Sequence, residues 1–153
     1  VCPVRGLCAA YRDGMTDRLP VRAAKKPRRA EERTVFLLLR GGRVALHRRA
    51  ERGLLAGLWE FPNVPGNLDG AGARLALSQW GLTARTLSPV GAARHIFTHV
   101  EWDMHGYLGE AEGENGDFFW ADAQALERAA IPSAFRFYLR AARGALNGIQ
   151  EEL

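Results

Sequence analysis

Gly53-Leu54-Leu55-Ala56-Gly57-Leu58-Trp59-Glu60-Phe61-Pro62 is the most distinctive stretch of the chain. Apolar residues, an indole and a proline set between glycines predict a rigid passage from strand to loop, with a short strand around Trp59–Phe61. Upstream, Val35-Phe36-Leu37-Leu38-Leu39 has the composition of a buried strand, and Gly41-Gly42 is the turn of a hairpin. Arg43–Arg49 forms the second arm, with Val44 and Leu46 alternating onto one face. Downstream, Asp69 to Trp80 reads as a helix whose apolar members are Leu75, Leu77 and Trp80, stopped by Gly81. From His99 to Leu108 the alternation places Val100, Trp102, Met104 and Leu108 on one face, opposite His99, Glu101, Asp103 and His105. Asp117–Trp120 is a further strand. Pro132 opens a final helix with Phe135, Tyr138, Leu139 and Leu146 spaced to pack inward. Strands interleaved with two or three helices predict an α/β (α+β) sandwich.

The chain has 153 residues, of which 47% are apolar and 25% charged, which is enough for one core and excludes wholesale disorder. Its longest apolar run is strand-length, so no membrane-spanning segment is expected. No secretory leader opens the chain, and two cysteines are too few for a disulfide scaffold, so a reducing compartment is expected. The first residue is Val1, not Met, which suggests a piece of something longer. Charge is unevenly placed. Residues 1–40 carry ten Lys/Arg against four Asp/Glu, whereas residues 41–153 carry eleven against thirteen. Residues 1–18 read as the tail of another element and residues 19–33 as a basic connector, rich in cations and interrupted by Pro20 and Pro27. Residues 34–153 form the globular domain. A basic arm on a near-neutral domain suits a polyanionic partner, and equally suits a solvated linker.

The histidines suggest a metal site at first sight. His95 and His99 stand four apart, but the pattern around them is β, where that spacing separates side chains by about 13 Å. No Gly-x-Ser-x-Gly elbow supports a serine nucleophile.

The Leu58–Pro62 run resembles the Gly-x-Trp-x-x-Pro entry to the catalytic loop and helix of Nudix pyrophosphohydrolases. The resemblance implies a Nudix-like mixed β-sheet flanked by helices. In that family the helix presents carboxylates that hold a divalent cation across a diphosphate. In Arg74-Leu75-Ala76-Leu77-Ser78-Gln79-Trp80-Gly81-Leu82, Arg74, Gly81 and Leu82 match that pattern, while Leu75, Ser78 and Gln79 stand where the acids belong. An active nucleotide hydrolase is therefore the weaker alternative, with a pure protein-interaction module a third.

A closer resemblance takes in nearly the whole chain. Cys2-Pro3-Val4-Arg5-Gly6-Leu7-Cys8, the Pro20–Pro27 connector, Arg33-Thr34, the Leu58–Pro62 run and Phe97-Thr98-His99 follow one another as in adenine DNA glycosylases of the MutY type. In that family a metal-free Nudix-like domain follows an iron–sulfur loop, and a Phe-Ser-His turn probes 8-oxoguanine opposite adenine. The resemblance implies that Cys2 and Cys8 are the third and fourth ligands of a [4Fe–4S] cluster. Four thiolates are required, so the cluster belongs to the parent protein and none is expected on this chain alone. It implies a DNA-reading turn at Phe97, Thr98 and His99, with His95 in the same stretch, and phosphate contact from Arg22, Lys25, Lys26, Arg28 and Arg29. Phe97 would wedge beside the lesion base. Implied partners are a duplex containing 8-oxoguanine opposite adenine, an N-terminal helical glycosylase domain, and a protein bound at the connector. The implied location is the bacterial cytoplasm, at the nucleoid. Adenine excision needs groups in the helical domain, so this chain alone is expected to be inactive in it.

Overall fold

A computed structural model of the chain describes residues 2–19, 21 and 26–151. Arg22 and Lys25 of the basic stretch lie outside the described residues. A single 3-10 turn at Arg5–Leu7 is followed by a short helix α1 (Ala9–Arg12). The domain then runs β1 (Arg29–Arg40), β2 (Arg43–Arg48), β3 (Trp59–Glu60), β4 (Asn63–Pro65), α2 (Gly70–Gln79), β5 (Leu82–Ala84), β6 (Ser88–Ile96), β7 (Val100–Gly113), β8 (Phe118–Ala121), α3 (Ala123–Arg128), a 3-10 turn at Ser133–Phe135 and α4 (Arg136–Glu151). No helix among the described residues is long and apolar enough to cross a membrane.

The eight strands form one mixed sheet whose spine is β3-β2-β1-β7-β5, with β4 on β1, β6 on β7 and β8 on β2. Its longest pairing is parallel, with β1 and β7 in register from Arg29↔Val100 to Leu39↔Glu110. The unbroken apolar run of β1 follows from burial on both faces. Val35, Leu37 and Leu39 face one core with Trp102, Met104, Phe135, Tyr138 and Leu146. Phe36 and Leu38 face a second core with Ala73, Leu77 and Leu82 beneath α2. Helices α3 and α4 cover the first face and α2 the second, giving the expected sandwich.

The hairpin at Gly41-Gly42 forms as expected, both glycines holding positive φ (53° and 70°). Helix α2 is bounded by Asp69, whose side chain accepts from the Gly72 N–H, and ends at Trp80. Its inward residues differ from the expected set. Ala73, Ala76 and Leu77 are buried, whereas Leu75 is 61% exposed, because the helix seats on the flat sheet through its small residues. The final helix begins one turn later than expected, since Pro132 leads into the 3-10 turn before α4. Strand β1 starts at Arg29, inside the stretch that reads as connector, because Arg29–Arg33 takes up the ladder offered by β7. Strands β4 and β5 and helix α3 have no counterpart in the sequence reading, and of β6 only the end around His95 is expected as β.

Buried Thr34 ties this scaffold to the loop before α2. Its hydroxyl donates to the Gly66 carbonyl at 2.7 Å and accepts from the Leu68 N–H at 2.9 Å. The sheet meets α4 closely at Gly106, where a Cβ would fall 2.3 Å from the Tyr138 ring and 2.6 Å from the Val90 side chain. Gly106→Ala is therefore expected to destabilise the domain by about 1–3 kcal/mol through overpacking, read as a lower urea midpoint with an unchanged slope.

Candidate nucleic-acid interface

The distinctive stretch from Gly53 to Pro62 is a loop fastened to β2 and then inserted into the sheet. Gly53 and Gly57 hold φ values of 92° and 69°, and Leu55 also has positive φ at 59°, a left-handed conformation rare for a side-chain-bearing residue. Arg48 Nε donates to the Gly57 carbonyl at 3.2 Å and Arg49 Nε to the Leu54 carbonyl at 2.9 Å. Arg49 Nη1 also reaches the buried Glu60 carboxylate at 2.6 Å, with His47 Nδ1 at 3.3 Å from its other oxygen. A buried carboxylate needs such partners, since an unpaired one is costly. Phe61 is fully buried beyond it, edge-on to Phe135.

The Phe97-Thr98-His99 turn joins β6 to β7 at the pole where β1 begins. The Phe97 N–H donates to the Val100 carbonyl at 2.8 Å, closing the turn. Thr98 and His99 are exposed. Phe97 is half-buried, its ring edge-on to Trp102 at 4.9 Å and to His95 at 4.6 Å. The ring lies under the turn as its support, not outward as the wedge that the sequence suggests. The exposed apolar side chain beside the turn is Ile96, at 53%. His95 is half-buried and packs against Phe97.

The connector reaches this turn. Arg28 Nε donates to the Phe97 carbonyl at 3.2 Å, and the Arg29 N–H to the His99 carbonyl at 3.2 Å. Lys26, Pro27, Arg28, Thr98 and His99 line one cleft of about 680 Å³. The sequence-derived residues on the described part of the connector and those of the turn thus come together, although 69 residues separate Arg28 from Phe97.

On the other flank of His99, Arg29, Glu31, Arg33, Arg49 and Trp102 line a second cavity of about 450 Å³. Arg29 is among the sequence-derived site residues; Glu31, Arg33, Arg49 and Trp102 are not. Arg33 lies over the Trp102 ring at 4.4 Å and donates to Asn63 Oδ1 at 2.6 Å. Trp102 Nε1 donates to Glu31 Oε2 at 3.1 Å, and Arg29 pairs with the other Glu31 oxygen. Desolvation acts to raise the Glu31 pKa, but the Arg29 hydrogen bond and charge, the indole N–H and Arg33 outweigh it, and the carboxyl sits below its ordinary 4.5. Period-two spacing from Glu31 to Arg33, with Trp102 opposite, is the signal that would have found this cluster.

Cys2 is exposed and Cys8 half-buried; both are free thiols, and with Arg5, Tyr11 and Thr16 they line one cavity of about 260 Å³. On α2, Ser78 and Gln79 point to solvent, and no group of three or more His, Cys, Asp or Glu gathers among the described residues.

Residues 34–141 match the NUDIX domain model. The chain belongs to the NUDIX family. Within that family it is MutY-like. It is 30% identical over 141 residues to the adenine DNA glycosylase of Homo sapiens, covering 82% of this chain and 26% of that protein. It is 28% identical to the adenine DNA glycosylase of Schizosaccharomyces pombe, covering 83% of this chain and 39% of that one. The chain therefore spans only about a quarter to two-fifths of these relatives. Among solved structures, the C-terminal domain of mouse MUTYH, in complex with human PCNA, superposes with a TM-score of 0.55 at 26% identity, covering 71% of this chain and 86% of that one. A MutT NUDIX hydrolase from Burkholderia pseudomallei superposes with a TM-score of 0.60 at 19% identity over 73% of this chain and 97% of its own, a likeness of fold.

A carboxylate held below its ordinary pKa stabilises the fold above that ordinary value, and the contribution is lost as pH falls through the folded value. Glu31→Gln is accordingly expected to lower stability at pH 7, by a difference that shrinks as pH falls below 4.5, as measured by urea denaturation across that range.

Proposed function

We propose that this chain is the lesion-reading domain of an adenine DNA glycosylase acting in base-excision repair, and that it recognises 8-oxoguanine opposite the adenine to be removed. The observation that carries this reading is the meeting of the cationic connector with the exposed Thr98-His99 turn in one cleft. Its NUDIX membership and its likeness to adenine DNA glycosylases support the same reading.

Chemistry at the turn is consistent with this role. 8-Oxoguanine carries a hydrogen on N7 where guanine has a lone pair, so an acceptor placed there favours the lesion. The Thr98 hydroxyl accepts from that N–H, but it also rotates to donate to ordinary N7, so its own discrimination is modest. His99 donates to a phosphate or braces the turn. Phe97 and His95 contribute from beneath by fixing the turn's height over Trp102. Lys26, Arg28 and Arg29, together with Arg22 and Lys25, add sequence-independent phosphate attraction. A protein partner at the connector is also proposed; the similar mouse domain was solved in complex with human PCNA.

Excision itself is assigned to an N-terminal helical domain of the parent protein. Cys2 and Cys8 are two thiols facing one cavity, which fits half of a [4Fe–4S] ligand set. When bound, such a cluster would be held by these two thiolates and two from that preceding domain. Nucleotide hydrolysis is disfavoured, since Leu75, Ser78 and Gln79 supply no carboxylate to a metal on α2. The location proposed is intracellular, at the bacterial nucleoid.

Two outcomes test the reading. Thr98→Ala is expected to reduce the preference for an 8-oxoguanine·adenine duplex over a guanine·adenine duplex by roughly fivefold, the scale of one hydrogen bond, and Phe97→Ala to reduce it by removing the turn's support on Trp102. Fluorescence anisotropy with both duplexes measures this, and an unchanged preference removes the turn from the site. Lys26→Gln is expected to weaken both duplexes alike and to lower the slope of log K against log salt by about 1.

A further inference from the structure

The connector does more at this site than supply charge. Two consecutive connector residues take two carbonyls of the reading turn: Arg28, through its side chain, takes that of Phe97, and Arg29, through its backbone, takes that of His99. Thr98 lies between the two fastened carbonyls. The Arg29 contact is the first rung of the β1–β7 ladder, since Arg29 pairs with Val100. The Arg28 contact lies one residue beyond that ladder, on exposed chain with no strand to hold it in place. It is made by Nε, a single N–H of fixed direction in the guanidinium plane, unlike the freely rotating donors of an ammonium.

Resting on the reading above, we propose that Arg28 is a positioning residue: its guanidinium orients the peptide group joining Phe97 to Thr98, and so fixes how the reading turn, with its backbone acceptors and the Thr98 oxygen, approaches the lesion. The physical need is plain. A hydroxyl turns about its own C–O bond, so it either accepts from the N7 hydrogen of 8-oxoguanine or donates to the N7 of guanine; selectivity beyond that needs acceptors that cannot turn donor, the carbonyls of a turn held in place. Trp102 holds the turn from below through Phe97, and Arg28 holds it from the connector side. Loss of Arg28 therefore loosens the reading end without disturbing either core, because Arg28 is exposed and touches neither.

Charge and geometry separate under substitution. Arg28→Lys keeps the cation and removes the directed Nε–H, whereas Lys26→Gln removes a cation that makes no such contact with the turn. With the full chain, anisotropy on 8-oxoguanine·adenine and guanine·adenine duplexes gives the affinity ratio, and amide hydrogen exchange reports on residues 97–100. Arg28→Lys is expected to lower the affinity ratio roughly fivefold and to speed exchange at the turn, with the thermal midpoint of the domain unmoved. Lys26→Gln is expected to weaken both duplexes while keeping their ratio. If the unaltered chain prefers the lesion and Arg28→Lys prefers it equally, or if exchange at 97–100 stays the same, the positioning role is overturned and the reading of the turn survives. If the unaltered chain shows no preference at all, both fall.

Discussion

The parallel ladder between β1 and β7, from Arg29↔Val100 to Leu39↔Glu110, is the constraint on which the rest of this structure depends. Parallel neighbours cannot be joined by a short turn, so everything between the two strands must cross over and pack somewhere. Part of that crossover is α2, which covers one face, and α4 returns after β8 to cover the other. Because both faces are covered, the middle of β1 reads as an uninterrupted apolar run. Because the ladder extends to Arg29, the same strand also delivers the connector to the Phe97–His99 turn. Core and candidate site are thus two ends of one pairing.

The two ends follow different physical rules. At Val35–Leu39 the ladder is dry, and its stability comes from apolar area removed from water. At Arg29–Arg33 it is half-wet, and charge pairing takes over: Glu31 gathers Arg29, Arg33 and the Trp102 indole. Exposed ion pairs are individually weak, but this one is anchored to a buried aromatic and a fixed strand, which limits the entropy lost in forming it. The cluster supports the turn from within, while the connector meets it from outside. Helix α2, which carries no carboxylate, serves as a cover for the sheet through Ala73, Ala76 and Leu77.

Much of this architecture was legible in the sequence, and the gaps have causes. The Gly41-Gly42 hairpin, the buried strand at Val35–Leu39 and the helix from Asp69 each carry a local signal that tertiary contacts do not override. Leu75 misled, because a helix lying on a flat sheet buries alanines and leaves a large neighbour outside. Most of strand β6, before the β pattern around His95, carries only a weak signal, since its apolar members are small and its pairing with β7 is shifted by an irregularity between Pro89 and Gly91. At the site, the turn and the basic residues could be picked out by type, but their proximity could not, as it arises from a contact 69 residues apart. Nor could sequence decide between Ile96 and Phe97 for the inward position. The Trp102 indole decides it, by offering its edge to Phe97.

The central claim is that connector and turn read the lesion together. It is tested most directly by recording backbone amide signals while titrating the chain with an 8-oxoguanine·adenine duplex and, separately, with its guanine·adenine counterpart. Signals from residues 26, 28 and 29 and from 95–99 should shift with both duplexes, and those of 97–99 should differ between them. Identical shifts with the two duplexes, or changes confined to α2 and its sheet face, would contradict the claim.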